Sequence, residues 1–259
     1  MSKDQSPATP IVPDWTVVTA PAARRAVEGI LAAGHYDSRL GGLDPAAASV
    51  LAHILRLYAR QGRSPAMGEV AAAAELPVPS VKEHLSRLRE RDLVLFDSIG
   101  ETILGAYPFT EGASGHSVTF QATGHTLATM CAIDALGAGA MCRDDVTIRS
   151  ACSACGAPVA ASTEHDGMTL KQVAPSAAVV WVGLRESCGC AAKTLCTELL
   201  FFCSDEHLVR WRLGRGDGHR LTPEEAFQVG KALFIDRAMA GRNPARGRAT
   251  ASRDRTAPR

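Results

Sequence analysis

The sequence predicts an α+β protein, and three observations carry that reading. Between residues 44 and 91, helix start signals, apolar positions at helical spacing and stop signals recur in three successive segments. Short apolar runs at 94–96 and 102–104 then flank a turn-rich stretch at 97–101, as in a hairpin. From 117 to 182 several short β-prone runs follow, and one strongly capped helix from Thr222 closes the pattern.

Taken in order, residues 1–36 are rich in Pro and Ala and read as a flexible N-terminal extension with one short helix over 24–33. Asp44 has the side chain of an N-cap and Pro45 the fixed φ of a first helical residue. Val50, Leu51, Ile54, Leu55 and Tyr58 then line one face, and Gly62 is the stop. Ser64-Pro65 repeats the start signal for a helix that passes Glu69 and ends at Ala74. Ser80 with Glu83 reads as a capping box opening a third helix, with Val81, Leu85 and Leu88 inside and an end near Arg91. Three helices and a hairpin make a winged helix-turn-helix-like domain over 37–110. Such a domain either binds DNA or keeps the shape as a scaffold. The third helix sets Lys82, Arg87, Arg89 and Arg91 against Glu83, Glu90 and Asp92, a poor balance for a phosphate-binding face.

A mixed α/β domain is expected over 111–239. Its β-prone runs are 117–121, 146–149, 159–162 and 178–182. A helix is expected over 125–136 with Gly137 as its stop. The last helix starts at the capping box Thr222-Pro223-Glu224-Glu225 and runs to about residue 238. Residues 240–259 carry six arginines and few apolar side chains, the composition of a disordered tail.

The bulk numbers narrow the function. Hydrophobic content of 46% and charged content of 21% fit a globular chain, and a net charge of +1 gives no electrostatic reason for a nucleic-acid or membrane partner. The N-terminus lacks the apolar core of a secretory signal, and the longest apolar stretch, 177–184, is too short for a bilayer, so a cytoplasmic location is expected. All eight cysteines lie between 131 and 203. In a cytoplasmic protein they read as metal ligands, a thiolate nucleophile or small buried hydrophobes rather than disulfides. Cys152-x-x-Cys155 has metal-ligand spacing, and Cys188-x-Cys190 would complete a zinc site. His116 and His125 are the nearest bases for a nucleophilic thiol, while Cys142 and Cys203 read as buried hydrophobes. Cys131 and Asp134 stand three residues apart, on one face of the expected helix, and Cys196 lies in an apolar run. Two thiols and a carboxyl brought together would hold a soft metal by sulfur and keep a proton beside it.

Several ordered segments carry a resemblance. They are Gly105-Ala106-Tyr107-Pro108-Phe109-Thr110, then His116, then Cys131-Ala132-Ile133-Asp134-Ala135-Leu136-Gly137. Cys152-Ser153-Ala154-Cys155-Gly156-Ala157-Pro158-Val159, Phe201-Phe202-Cys203-Ser204 and Glu224-Glu225-Ala226-Phe227 continue the series. Together, over roughly residues 40–236, the chain resembles the organomercurial (alkylmercury) lyase family. The resemblance implies a winged-helix-like N-terminal domain followed by a mixed α/β catalytic domain. It implies protonolysis of a carbon–mercury bond to a hydrocarbon and Hg(II), with Cys131, Asp134 and Cys196 as the catalytic residues and as ligands of the substrate's mercury. It also implies that Cys152 is structural, that no cofactor is needed, that small thiols deliver the substrate, and that a mercuric reductase accepts the Hg(II). Cys196 is placed by counting back from Phe201, and Cys188 and Cys190 compete with it, because the segment 186–193 is longer than usual. Leu127-Ala128-Thr129-Met130 lacks an aromatic residue frequent in relatives, which implies a wider or differently shaped pocket. The alternative function is a winged-helix transcriptional regulator that senses a thiophilic metal through its cysteines.

Overall fold

The computed structural model describes residues 13–186, 189–235 and 237–239. The expected N-terminal extension is, from residue 13 on, part of the packed body. After a 3₁₀ turn at Trp15–Val17, helix α1 (Pro21–Ala33) buries Ala23, Ala26, Val27 and Ile30, an i, i+3, i+4, i+7 stripe. Two of these four residues are alanines, so the stripe carried little apolar signal. Its approach is fixed by Gln228 Oε1, which accepts the backbone N–H groups of Thr19 and Ala20, both at 2.9 Å. Residues 1–12 of that extension, and the arginine-rich tail at 240–259, lie outside the described residues.

Helix α2 (Tyr36–Leu40) leads to α3 (Pro45–Gln61), whose ends follow the local chemistry. Asp44 Oδ1 accepts from the N–H groups of Ala46 and Ala47 at 3.0 and 2.9 Å, and Gly62 ends the helix at φ +69°. Helix α4 (Met67–Ala74) starts two residues beyond the Ser64-Pro65 signal, with Glu69 accepting the N–H of Ala66 at 2.7 Å. Ser64 instead donates to the carbonyl of Ile103 at 2.6 Å. Helix α5 (Val78–Glu90) starts before the expected capping box: Pro77 is its N-cap, which places Ser80 inside the first turn. Strands β1 (Val94–Phe96) and β2 (Ile103–Ala106) pair antiparallel as a hairpin.

That hairpin is the edge of a larger structure. Strands β3 (Phe109–Thr110), β4 (Ser117–Phe120), β5 (Thr126–Thr129), β6 (Val146–Ala151), β7 (Pro158–Glu164) and β8 (Thr169–Ala174) continue it into an eight-stranded antiparallel sheet. The strand order is β1-β2-β3-β5-β4-β6-β7-β8. The boundary expected at residues 110 and 111 therefore falls inside one sheet, because β3 pairs with β2 on one side and β5 on the other. Tyr58 of α3, Phe109 of β3 and Phe120 of β4 stack in series, with ring centroids 5.5 and 6.0 Å apart, and fuse the helical half to the sheet.

Helix α6 (Ala132–Cys142) follows β5. Here the expected helix over 125–136 is corrected at both ends. Residues 126–129 alternate toward the core as a strand, and the helix continues past Gly137. Gly137 is an interior residue facing α8 (Pro223–Phe234), where a Cβ would lie 2.6 Å from the carbonyl oxygen of Gly230. A Cβ on Gly230 would in turn meet the backbone nitrogen of Gly137 at 2.7 Å. The two helices cross at backbone contact, and that contact, not a stop, is why the residue is glycine. A second sheet of β9 (Val179–Gly183), β10 (Leu199–Phe202) and β11 (Gly218–Leu221), in the order β10-β9-β11, lies beside α8. Helix α7 (Asp205–Arg212) follows β10. Helix α8 has the expected capping box, Thr222 with Glu225, but ends at Phe234 rather than near 238. A separate 3₁₀ turn at Arg237–Met239 packs on α3, with Arg56 Nη1 donating to the carbonyl of Ala238 at 2.7 Å. Among the described residues no helix is long and apolar enough to cross a membrane.

The close crossing makes a prediction. Gly137→Ala and Gly230→Ala should each destabilise the fold by about 1–3 kcal/mol, the usual cost of overpacking. Gly68→Ala in α4, where a Cβ meets nothing within 4 Å, should be neutral or stabilising by up to about 1 kcal/mol. Urea unfolding of the three variants measures both.

Candidate active site

Cys131 closes the turn from β5 into α6. Its backbone is extended at φ −156° and ψ 179°, so it is the N-cap, and its sulfur accepts the N–H of Asp134 at 3.4 Å. The two residues are therefore not on one face of a helix, as their spacing suggested. Capping geometry, in which an N-cap side chain reaches the third residue of the first turn, brings sulfur and carboxyl together instead. Cys196 arrives from the other sheet on a 3₁₀ turn, Leu195–Glu198, just before β10. Its sulfur lies 4.0 Å from Asp134 Oδ2. The two sulfurs and a carboxylate oxygen all lie within 4.8 Å of one another. Of the competing cysteines, Cys190 lies apart from this group, its sulfur 4.0 Å from the hydroxyl of Tyr107, and Cys188 is outside the described residues.

Burial dominates the electrostatics. Cys131, Asp134 and Cys196 are 0%, 4% and 6% exposed. Burial lifts the Asp134 carboxyl to about 7, against the hydrogen bond from Cys131 and the charges of Arg237 and Arg39, all of which favour the anion. Asp134 also sits in the first turn of α6, where the helix dipole favours negative charge. Desolvation outweighs these together. The Cys131 thiol is raised well above its ordinary value, first by burial and then by its hydrogen bond with Cys196. Contact with Cys131 holds the Cys196 thiol down, but burial and the nearby Asp134 carboxyl leave it raised. Burial thus favours the protonated form of all three groups.

A cleft of about 950 Å³ leads to this group. Its walls include Leu95 and Phe96 of the hairpin, Met130, Cys190 and Leu200, with Cys196 among its lining residues. Cys131 and Asp134 are buried and do not line it. His116 also lines the cleft; burial lowers it to about 4, its Nδ1 is 2.8 Å from Ser150 Oγ, and it is a neutral ring rather than a base. His125 is exposed and belongs to the β4–β5 turn beside Gly62.

Sequence reasoning missed the group that ties the Cys196 segment to the helical half. The carboxylate of Asp92 accepts the N–H of Ala191 at 2.8 Å and the hydroxyl of Tyr107 at 3.1 Å. The same hydroxyl accepts the N–H of Ala192 at 2.8 Å. Buried Arg39 pairs with Asp92 at 3.2 Å, donates to its backbone carbonyl, and stacks on the Tyr107 ring. Tyr107 stood in the resemblance, but the partners are 15 and 85 residues away in sequence, beyond any local signal.

The zinc set suggested by spacing is also rearranged. Cys152 and Cys155 meet Cys203 and His207; Cys190 is not in the group, and Cys188 lies outside the described residues. Cys203, expected to be an ordinary buried hydrophobe, is only partly buried and touches His207 Nδ1 at 3.0 Å. Burial raises the thiol of Cys142, at the end of α6, to about 12.

Comparison with known proteins gives the context. A family model described as alkylmercury lyase matches residues 109–235. The alkylmercury lyase of Bacillus cereus is 28% identical over 173 residues, covering 66% of this chain and 75% of that protein. The alkylmercury lyase of Streptomyces lividans is 27% identical over 180 residues, covering 70% and 79%. A crystal structure of the mercury-bound form of MerB2 superposes with a TM-score of 0.65 at 21% identity, covering 85% of this chain and all of that one, which shows a shared fold. The matched segment, residues 109–235, contains Cys131, Asp134 and Cys196 and belongs to the alkylmercury lyase family.

Proposed function

We propose that the protein cleaves the carbon–mercury bond of organomercury compounds by protonolysis, with Cys131, Cys196 and Asp134 as the reacting groups. The observation that carries this reading is the convergence of two thiols and one carboxyl within 4.8 Å in a buried pocket. Mercury is soft, and thiolate sulfur is its natural ligand. Cys196 lines the cleft and takes the substrate first, its sulfur displacing the thiol that delivers R–Hg and the displaced thiol leaving with the proton. Cys131 binds next, and its proton passes to the Asp134 carboxylate. Two sulfurs then push electron density through mercury onto carbon. The C–Hg bond breaks, its electron pair takes the proton held by Asp134, and R–H leaves. Hg(II) stays on the two thiolates until external thiols, or a mercuric reductase, remove it. Overall R–Hg⁺ and H⁺ give R–H and Hg²⁺, so the substrate's mercury and the protein's own protons complete the balance without a cofactor.

A carboxyl at about 7 suits both halves of this task, since it must accept a proton and then give it up at neutral pH. We read α3–α5 with the β1–β2 hairpin as a winged-helix-like unit recruited as one wall of the cleft. Its arginines favour that reading over DNA binding: Arg87 pairs with Asp44 at 3.2 Å, Arg89 covers the Phe96 ring, and Arg91 donates to the carbonyl of Gly41 at 2.7 Å. A metal-sensing regulator would instead shift a promoter fragment in a gel, with no turnover.

Two predictions follow from this chemistry. With excess thiol, the protein should release methane from methylmercury, read by headspace gas chromatography. Cys131→Ser, Cys196→Ser and Asp134→Ala should each lower the rate by at least about 10²-fold, the scale of losing a positioned proton donor or ligand. Unchanged turnover in Cys196→Ser would remove that thiol from the mechanism. The second prediction concerns stability of the mercury-free protein. The Asp134 carboxyl is at about 7 in the fold and at about 3.9 in the unfolded chain. Between these values the unfolded chain binds fewer protons, so stability falls as pH rises, by up to about 1.4 kcal/mol per unit from this group alone. Asp134→Asn should therefore be progressively more stable than wild type from pH 4 to pH 7, with a constant gap above. A pH-independent difference in Tm between the two would refute it.

A further inference from the structure

Cys152, Cys155, Cys203 and His207 form a second convergent group that shares no residue with the first. Their ligand atoms all lie within 4.8 Å of one another. A tetrahedral zinc with Zn–S of about 2.3 Å and Zn–N of about 2.0–2.1 Å has S···S edges of about 3.8 Å and S···N edges of about 3.6 Å. The Cys155 and Cys203 sulfurs are 3.8 Å apart, and the Cys152 sulfur is 3.6 Å from His207 Nδ1. The Cys203 to His207 edge is shorter, at 3.0 Å, as for a thiol and an imidazole sharing a proton.

The backbone around the group is built for thiolates. Residues 152–156 form a tight turn: the N–H of Gly156 donates to the carbonyl of Cys152 at 2.8 Å, and Gly156 has φ +74°. The backbone of Ala154, Cys155 and Cys203 beside the Cys152 sulfur favours its anion. These backbone groups would compensate negative charge on a sulfur bound to metal. The other two ligands come from the end of β10 and the first turn of α7. Ser204 caps that helix by accepting the N–H of His207 at 3.4 Å, which fixes the residue carrying the imidazole. Three sulfurs and one imidazole with no open position is the ligand set of a structural zinc.

We propose that Cys152, Cys155, Cys203 and His207 bind one structural zinc ion, which fastens the β6–β7 turn to the β10–α7 junction. The two elements are already in register, since Ser153 N–H donates to the carbonyl of Phe201 at 3.0 Å. The metal closes a long stretch of chain: Cys155 and Cys203 are 48 residues apart. Strand β10 runs directly from the turn holding Cys196 to Cys203, so zinc at one end steadies the thiol at the other. Three thiolates would also attract Hg(II), and the metal found in protein made without mercury separates the two readings.

The test uses the full chain, expressed with zinc and without mercury and purified under reduction, with metal content read by plasma mass spectrometry. About one zinc per chain is expected, falling at least about tenfold in Cys155→Ser and in His207→Ala. Cys131→Ser and Cys196→Ser should retain it. A second measurement does not depend on those variants folding: wild-type protein exchanged with Co(II) should show the visible absorption of tetrahedral thiolate-bound cobalt. Zinc-free protein that takes up no cobalt, or that binds only Hg(II) at these residues, overturns the proposal. So does zinc that survives Cys155→Ser and His207→Ala, or that leaves with Cys131→Ser.

Discussion

Removal of the Asp134 carboxyl from water is the constraint on which the rest of the structure depends. Everything local favours its anion: the first turn of a helix, a sulfur hydrogen bond and two arginines. Burial between the sheet and α8 still wins and lifts the group to about 7. Such burial needs dense packing on every side of the start of α6. The Gly137–Gly230 contact supplies it on one side, letting α8 approach to backbone distance. Strand β5 and the 3₁₀ turn of Cys196 close the others. A looser helix crossing would admit water and return an ordinary, fully ionised carboxylate.

The same constraint gives the helical half of the chain a role in the site. Cys196 lies on a segment with little regular structure, and its neighbours Ala191 and Ala192 are held by Asp92 and Tyr107. Arg39, from α2, holds Asp92 and covers Tyr107. The second thiol is thus registered against Asp134 by residues that never touch it. The hairpin that joins the eight-stranded sheet also forms one wall of the cleft. The two halves share one sheet and one pocket, which explains why a domain boundary placed between them cuts through β-pairing.

What could be read from the sequence was local. Asp44-Pro45 and Thr222-Pro223 with Glu225 announce α3 and α8 because caps are chemistry within four residues. The hairpin and the strands at 117, 146, 158 and 179 were legible from their β-branched runs. The start of α6 was not, because Thr126–Thr129 joins an Ala- and Leu-rich helix without a break in composition. Gly137 misled because its reason is another helix 93 positions on, at Gly230. In the site, the pairing of Cys131 with Asp134 was visible as spacing, although the cap geometry behind it was not. Cys196 was reached by resemblance alone. The partners of Cys152 and Cys155 were mistaken because Cys203 and His207 approach only through the second sheet and α7.

The proposed chemistry depends on the protonation of one buried group, and that can be observed directly. In mercury-free protein carrying ¹³C-labelled aspartate, the Asp134 carboxyl carbon, assigned by its loss in Asp134→Asn, should titrate by NMR with a midpoint of about 7. A midpoint near about 4, the value of a solvated aspartate, would contradict the claim that burial makes this carboxyl the proton carrier.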